Sequence, residues 1–406
     1  MFLARKNRRY LGVGLVASTL IANITGMGSV EATPRERGLL SSAIISESVY
    51  EKTGLDFRGW VNGGVTWNTW TGEEGFNGPV GFNDRSDRLQ MNQLYGIIER
   101  KVTEDAFSLG GRADILYGTD ARYARSLGFD DRWVSDGTSR FYKLAVPQAF
   151  LELNTPVGNG LKFKAGHFYS PLGYESVMAP ENFFYSHSYA RTYAQPFTFW
   201  GATAAYNLTD KVELAAGAVR GWDNMEHKSD RNLGFLSTLT VRPSDDTLVK
   251  LGLITGNEGR STNQTLVNLV VSHAFTDYFT YAVEGNYGRR ESERDLGLEK
   301  GQWAGLASYA LFRINEIIGL GTRVEWYRED EGAFRVVGIN SGAGGVKGNY
   351  YSASVGANVD LFGFVTLRPE IRWDYQDRDS SSDPKAFRAG KDVYQFLASA
   401  DAIVQF

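Results

Sequence analysis

Histidines are few in this sequence: His167, His187, His227 and His273 are the complete set. None has a second histidine three or four positions away, and the chain has no cysteine, so the ligand spacing of a zinc site is absent. Hydrolytic chemistry could be read only in YSHSY (185–189), where Ser186 and Ser188 flank His187. A nucleophile needs its base within hydrogen-bond reach, and neighbours on an extended chain point apart, so this string reads as loop packing. The glycines of GNG (158–160) and GAGG (342–345) do not lie between a strand and a helix, where a phosphate cradle would. No catalytic, cofactor-binding or metal-binding residue is expected, and the chain does not read as an enzyme.

The informative charges alternate. In RPEIRWD (368–374), Arg368, Glu370, Arg372 and Asp374 share one face of a strand, and Pro369, Ile371 and Trp373 share the other. The split recurs where Arg323 and Glu325 oppose Val324 and Trp326, where Glu284 opposes Val283, and where Arg112 and Asp114 oppose Ala113 and Ile115. Arg58, Lys162, Lys164, Glu213 and Lys250 extend the charged set. An Arg or Lys facing lipid at mid-depth would cost about 2–4 kcal/mol, so if the apolar faces meet lipid, all these charges face water. They then form either a self-neutralising, solvated lumen or a transverse field that sorts small polar solutes.

Strands must hold these residues, and strand texture persists from residue 55 to the end. Candidates run near 55–68, 88–101, 106–117, 144–155, 161–170, 197–207, 211–222, 233–242, 247–256, 263–275, 278–290, 302–313, 316–329, 349–360, 364–375 and 393–406. They are roughly 10–14 residues long, whereas soluble strands average about 5–6 and a tilted membrane strand needs about 9–11. The pattern leaves the facing of 144–155, 161–170 and 302–313 open. Short connections such as TEDA (103–106), PVGNG (156–160) and LFG (361–363) alternate with long polar ones near 69–87, 118–143, 171–196, 223–232, 257–262, 291–301, 330–348 and 376–392. The expected fold is all-β: a transmembrane, antiparallel, up-and-down β-barrel of about sixteen strands, with short periplasmic turns and long outer loops. A barrel of that size leaves an aqueous channel.

Long apolar runs occur only at the N-terminus, which excludes a helical membrane bundle. There, Arg5, Lys6, Arg8 and Arg9 precede an apolar core from Leu11 to Ile24, and Val30 and Ala32 are small residues placed for cleavage. Residues 1–32 therefore read as a cleaved signal peptide, 33–54 as an N-terminal periplasmic segment or small plug, and 55–406 as the barrel. Without 1–32 the chain has 39 basic and 46 acidic residues, a net charge of −7, which gives no support to nucleic-acid binding.

GFNGPVGFNDR (75–85), LYGTDAR (116–122), VPQAF (146–150), GHFY (166–169), APENFFYSHSY (179–189), GWDN (221–224) and RPEIRWD (368–374) occur in that order. Together they resemble the putative β-barrel porin-2, OmpL-like family of outer-membrane proteins, over roughly residues 55 to 406. The resemblance implies a channel in a bacterial outer membrane and leaves its solute undefined. The final Phe406 resembles the assembly signal that ends the last strand of such barrels. Passive diffusion of small hydrophilic solutes is the expected function; a substrate-selective channel and a plugged surface barrel that binds a partner through its loops are the alternatives. Expected partners are outer-membrane lipid, the barrel assembly machinery, the solutes and, as an option, two further copies in a homotrimer. No cofactor is implied. The third long loop, 171–196, is unusually aromatic, with Phe183, Phe184, Tyr185, Tyr189 and Tyr193. By analogy with general porins it is expected to bend into the barrel as a constriction, with Glu175 or Glu181 facing basic wall residues; folding over the outer rim is the other reading.

Overall fold

The computed structural model describes residues 39–68, 75–104, 106–226, 233–258, 262–291, 300–330 and 346–406. The expected signal peptide, His227 and the GAGG string lie outside the described residues. Two short helices, α1 (Leu39–Ile44) and α2 (Glu47–Thr53), lead through the left-handed cap Gly54 into the first strand.

That strand, β1 (Leu55–Asn68), opens an antiparallel meander: β2 (Gln90–Arg100), β3 (Ser108–Gly118), β4 (Lys143–Ala145 and Ala149–Thr155), β5 (Leu161–Tyr169), β6 (Thr198–Thr209), β7 (Val212–Val219) and β8 (Gly234–Ser244). It continues through β9 (Thr247–Glu258), β10 (Thr262–Thr276), β11 (Phe279–Arg290), β12 (Gly301–Arg313), β13 (Ile318–Glu329), β14 (Gly348–Leu361), β15 (Val365–Asp377) and β16 (Tyr394–Gln405). The two segments of β4 both pair with β3 and form one stave, so the barrel has sixteen. Pro147 lies in the gap between them and has no N–H to give to the ladder. The freed Val146 carbonyl is met instead by His167 Nδ1 at 2.8 Å.

Closure joins β16 to β1 from Trp60↔Gln405 to Asn68↔Leu397. Phe406 completes the seam: its N–H donates to the Gly59 carbonyl and its carbonyl accepts from Gly59 N–H, both at 2.9 Å. Gly59 is required there, because a Cβ would lie 2.3 Å from the Tyr95 carbonyl and 2.7 Å from the Phe406 ring. Among the described residues every stave is paired on both sides, the condition a spanning sheet has to meet.

Burial alternates along the staves as the charge pattern requires. On β15, Leu367, Pro369, Ile371 and Trp373 are exposed on the outside, while Arg368, Glu370, Arg372 and Asp374 are buried inside. Exposed outer aromatics fall at two levels: Phe107, Phe275, Phe312 and Phe362 near the turns, and Trp67, Tyr117, Tyr287, Trp373 and Phe396 near the loops. These are the two interfacial girdles of a membrane barrel. The three staves of open facing are settled as well. Leu151, Phe163, Leu306 and Phe312 point outward, and Phe150, Lys164, Trp303 and Tyr309 point inward.

Candidate functional site

Loop 3, the connection from β5 to β6, lies inside the barrel, and most of its residues from Leu172 to Phe197 are buried. Apolar packing draws it in. Phe183 and Phe184 join Ala282, Ala307, Tyr309 and Leu311 in one cluster, and Tyr189, Tyr193 and Ala194 join Phe199, Trp303, Tyr327 and Tyr350 in another. Phe183 can seat because the wall carries Gly321; a Cβ there would come within 2.4 Å of its ring. Within the loop, a 3-10 turn over Ala179–Glu181 and a π-helical turn over Ala190–Ala194 bend the chain across the lumen.

Backbone groups of such a loop cannot reach water, so the wall must satisfy them. Arg368 Nη1 donates to the carbonyls of Ala179 (2.9 Å), Asn182 (2.8 Å) and Phe184 (3.1 Å), while its Nη2 pairs with Asp401 at 2.5 Å. Arg323 Nη1 pairs with Glu175 at 2.7 Å and donates to the Ser186 carbonyl at 2.7 Å. Arg372 donates to the His187 carbonyl at 2.7 Å and to Asp374 at 2.8 Å. Carboxylates hold the loop's N–H groups in turn: Glu370 accepts from Ser186 N–H (2.8 Å), Glu325 from Tyr189 N–H (2.7 Å) and Glu284 from Tyr174 N–H (3.1 Å). Glu175 also accepts from Ser188 N–H at 2.8 Å and from the Tyr309 hydroxyl at 3.1 Å.

The expected pore-lining residues thus fall into two zones. Asp114, Glu284, Arg323, Glu325, Arg368, Glu370, Arg372 and Asp374 are inward but almost wholly buried, and seven of them lie on β11, β13 and β15 beneath loop 3. Four others keep more contact with water, toward the turn side of the early staves: Arg58 pairs with Glu99 at 2.6 Å, Arg112 with Asp114 at 2.7 Å, Lys162 with Glu104 at 2.8 Å and Lys164 with Glu152 at 3.0 Å. Glu213 and Lys250 lie inward on β7 and β9 and are buried to within a tenth. Of the expected constriction residues, Glu175, Phe183, Phe184 and Tyr185 meet the wall, and Tyr185 donates to Asn92 at 2.9 Å. Glu181 is placed differently from Glu175, beside Ser176 and in the field of Arg112 and Arg58. Ser186 and His187 form no pair: Ser186 Oγ donates to Glu370 at 2.5 Å, and His187 Nε2 meets the Ser176 carbonyl at 3.0 Å. Among the described residues, no group of three or more His, Asp or Glu is placed to hold a metal.

Sequence reasoning missed that loop 1 also enters. Phe82, with φ +64°, is stacked between Tyr123 of loop 2 (centroids 4.2 Å) and His187 of loop 3 (3.8 Å). Tyr193 donates to the Pro79 carbonyl at 2.5 Å. The apolar GPVGF run (78–82) in a polar loop was the available signal. Asn62, Gln93 and Asn268, inward amides that bind Asp401, the Val177 carbonyl and Glu284, were missed for lack of charge.

The family model described as putative beta-barrel porin-2, OmpL-like, matches residues 54–406. Solved structures share the architecture at low identity. The outer membrane channel DcaP of Acinetobacter baumannii aligns with a TM-score of 0.57 at 11% identity, over 87% of this chain and 97% of that one. An anion-selective porin from Comamonas acidovorans aligns at 0.57 and 10%, over 87% and 99%. OmpT of Vibrio cholerae in its trimer form aligns at 0.54 and 10%, over 87% and 99%. No curated protein matches the sequence significantly.

Proposed function

This chain belongs to the putative β-barrel porin-2, OmpL-like family, a porin-like barrel of the outer membrane, and from that premise we propose that it passes small hydrophilic solutes by passive diffusion past loop 3. The observation that carries this reading is a loop bound inside the lumen by both signs of wall charge, so that any solute crossing the barrel must pass beside it and not through a wide bore. In it, Arg58, Arg112, Lys162 and Lys164 line the solute path on the turn side, with Glu213 and Lys250 inward on β7 and β9 beside it. The stretch from Glu175 to Tyr185, with Glu181, forms the constriction, and the wall arginines under it position the loop. Residues 1–32 act as the export signal, and Phe406 serves as the recognition end for assembly. A trimer is the expected assembly by likeness to the OmpT trimer form.

Near-complete burial of the loop 3 network favours one second reading, a barrel closed at rest. Single-channel recording in planar bilayers separates the two. Steady ohmic steps, enlarged by a deletion within 175–190 that keeps the barrel assembled, support diffusion past the loop. A silent wild type that conducts only after the deletion supports a closed barrel, and silence of both removes the channel reading.

A further inference from the structure

Where loops 1, 2 and 3 meet, an imidazole is part of the packing. Phe82 lies between Tyr123 (centroids 4.2 Å) and His187 (3.8 Å, rings 17° from parallel), and its own N–H donates to the Tyr123 hydroxyl at 3.0 Å. Contact around the stack is close: a Cβ on Gly81 would come within 2.8 Å of the Thr192 methyl. Phe82 is 1% exposed and His187 5%. A carbonyl can only accept, so the Ser176 carbonyl, 3.0 Å from Nε2, places the proton of the neutral ring on that nitrogen. Nδ1, the atom a second proton would occupy, is buried without a hydrogen-bond partner.

The groups that face this ring do little to hold a second proton. On loop 3, Glu175 favours it, but that carboxylate already pairs with Arg323 and accepts from Ser188 N–H and the Tyr309 hydroxyl. Arg191 on the same loop and Arg323 on β13 oppose it. On β15, Arg372 donates to the His187 carbonyl, and Glu370 is taken by Ser186. Loop 1 presents the uncharged Phe82, with its Asp84 bound to Arg122 of loop 2, and loop 2 presents Tyr123 behind it. The Phe82 face attracts a cation, but weakly beside the hydration that an imidazolium gives up on burial. Burial therefore pulls the His187 pKa below its ordinary value. We propose that the junction of loops 1 and 3 is an acid-released clasp, in which protonation of His187 at Nδ1 parts its ring from Phe82. Free of the stack, the imidazole returns to its ordinary pKa of about 6.5 and holds the proton more tightly. The clasp thus has its full stability above that pH and loses it as the pH falls below. The released population rises about ten-fold per pH unit until the stacked ring itself titrates.

Release is a movement of the loops and does not require the barrel to conduct. Full-length barrel folded in detergent would be followed by hydrogen exchange of the peptides that carry Phe82 and His187, from about pH 7.5 to about 4.5, with rates corrected for the intrinsic pH dependence of amide exchange. In wild type, protection of the Phe82 N–H should fall about ten-fold per pH unit below about pH 6.5. Protection should stay level in His187→Phe, which keeps a ring for the stack, and in His187→Gln, which keeps a donor for the Ser176 carbonyl. Heat-modifiable gel mobility checks that each variant folds. Deuterium exchange at the imidazole C2 carbon titrates His187 in wild type, needs no variant, and should give a pKa below the ordinary value. Level protection in wild type, an ordinary His187 titration, or the wild-type slope in either folded variant, as acids such as Glu175 or Glu181 would produce, overturns the clasp.

Discussion

Replacing Arg368 by glutamine should loosen the tip of loop 3 while the barrel stays closed. One guanidinium there serves three buried loop carbonyls and also pairs with Asp401. Glutamine can restore one of those bonds, and Asp401 keeps the Asn62 amide at 2.6 Å. Losing two of the three charge-assisted bonds to the loop carbonyls, at about 1.5–3 kcal/mol each, would raise the population of the detached tip roughly a hundred- to ten-thousand-fold. Against this stands the burial of Phe183 and Phe184, at roughly 1.5–3 kcal/mol each, so the tip should exchange between seated and released states and not leave permanently. Residues 186–189 stay bound to Arg323, Arg372, Glu325 and Glu370, so the second half of the loop should hold. In planar bilayers the variant should flicker to a higher conductance than wild type. Combining it with Arg323→Gln, which also releases Glu175 and the Ser186 carbonyl, should loosen more of the loop and speed trypsin cleavage at Arg191, buried in it. Assembled Arg368→Gln with the steady conductance of wild type would refute the idea that this arginine holds the tip.

Facing on β15 gives a second test: Ile371→Arg, exposed outward at mid-strand, should lose about 2–4 kcal/mol and accumulate unassembled. Thr366→Arg, beside Asp360, should assemble normally; heat-modifiable mobility of the two in outer-membrane fractions decides. At the seam, Gly59→Val should cost about 1–3 kcal/mol through its clash with Tyr95 and Phe406 and lower the folded yield. Deleting Phe406 should also lower assembled protein and leave it protease-sensitive, since both of its bonds to Gly59 are lost; undiminished yield would remove the role assigned to it. Removing the loop clasp with Phe82→Ala should cost about 3–5 kcal/mol locally and speed proteolysis in loops 1 to 3, measured as cleavage rate relative to wild type.

The staves were legible from the sequence because their cause is local. A period of two puts Arg368, Glu370 and Arg372 on the face opposite Leu367, Pro369 and Ile371, and lipid on one side fixes which face is which. Turn chemistry and alternating connection lengths then set the meander, and the match of Phe406 to Gly59 only closed it. What fills the barrel was decided by contacts between residues more than a hundred positions apart, such as Glu175 with Arg323 or Ser186 with Glu370. A polar residue that faces water and one that faces a buried loop carbonyl look the same in a strand pattern, so the sequence could not separate the partly exposed Lys162 and Lys164 from the buried arginines beneath loop 3. For the same reason β12 was ambiguous: Trp303, Tyr309 and Leu311 are apolar on the inner face because they meet loop 3 and not water. The break in β4 likewise takes its sense from His167, which meets the carbonyl that the interrupted ladder leaves free.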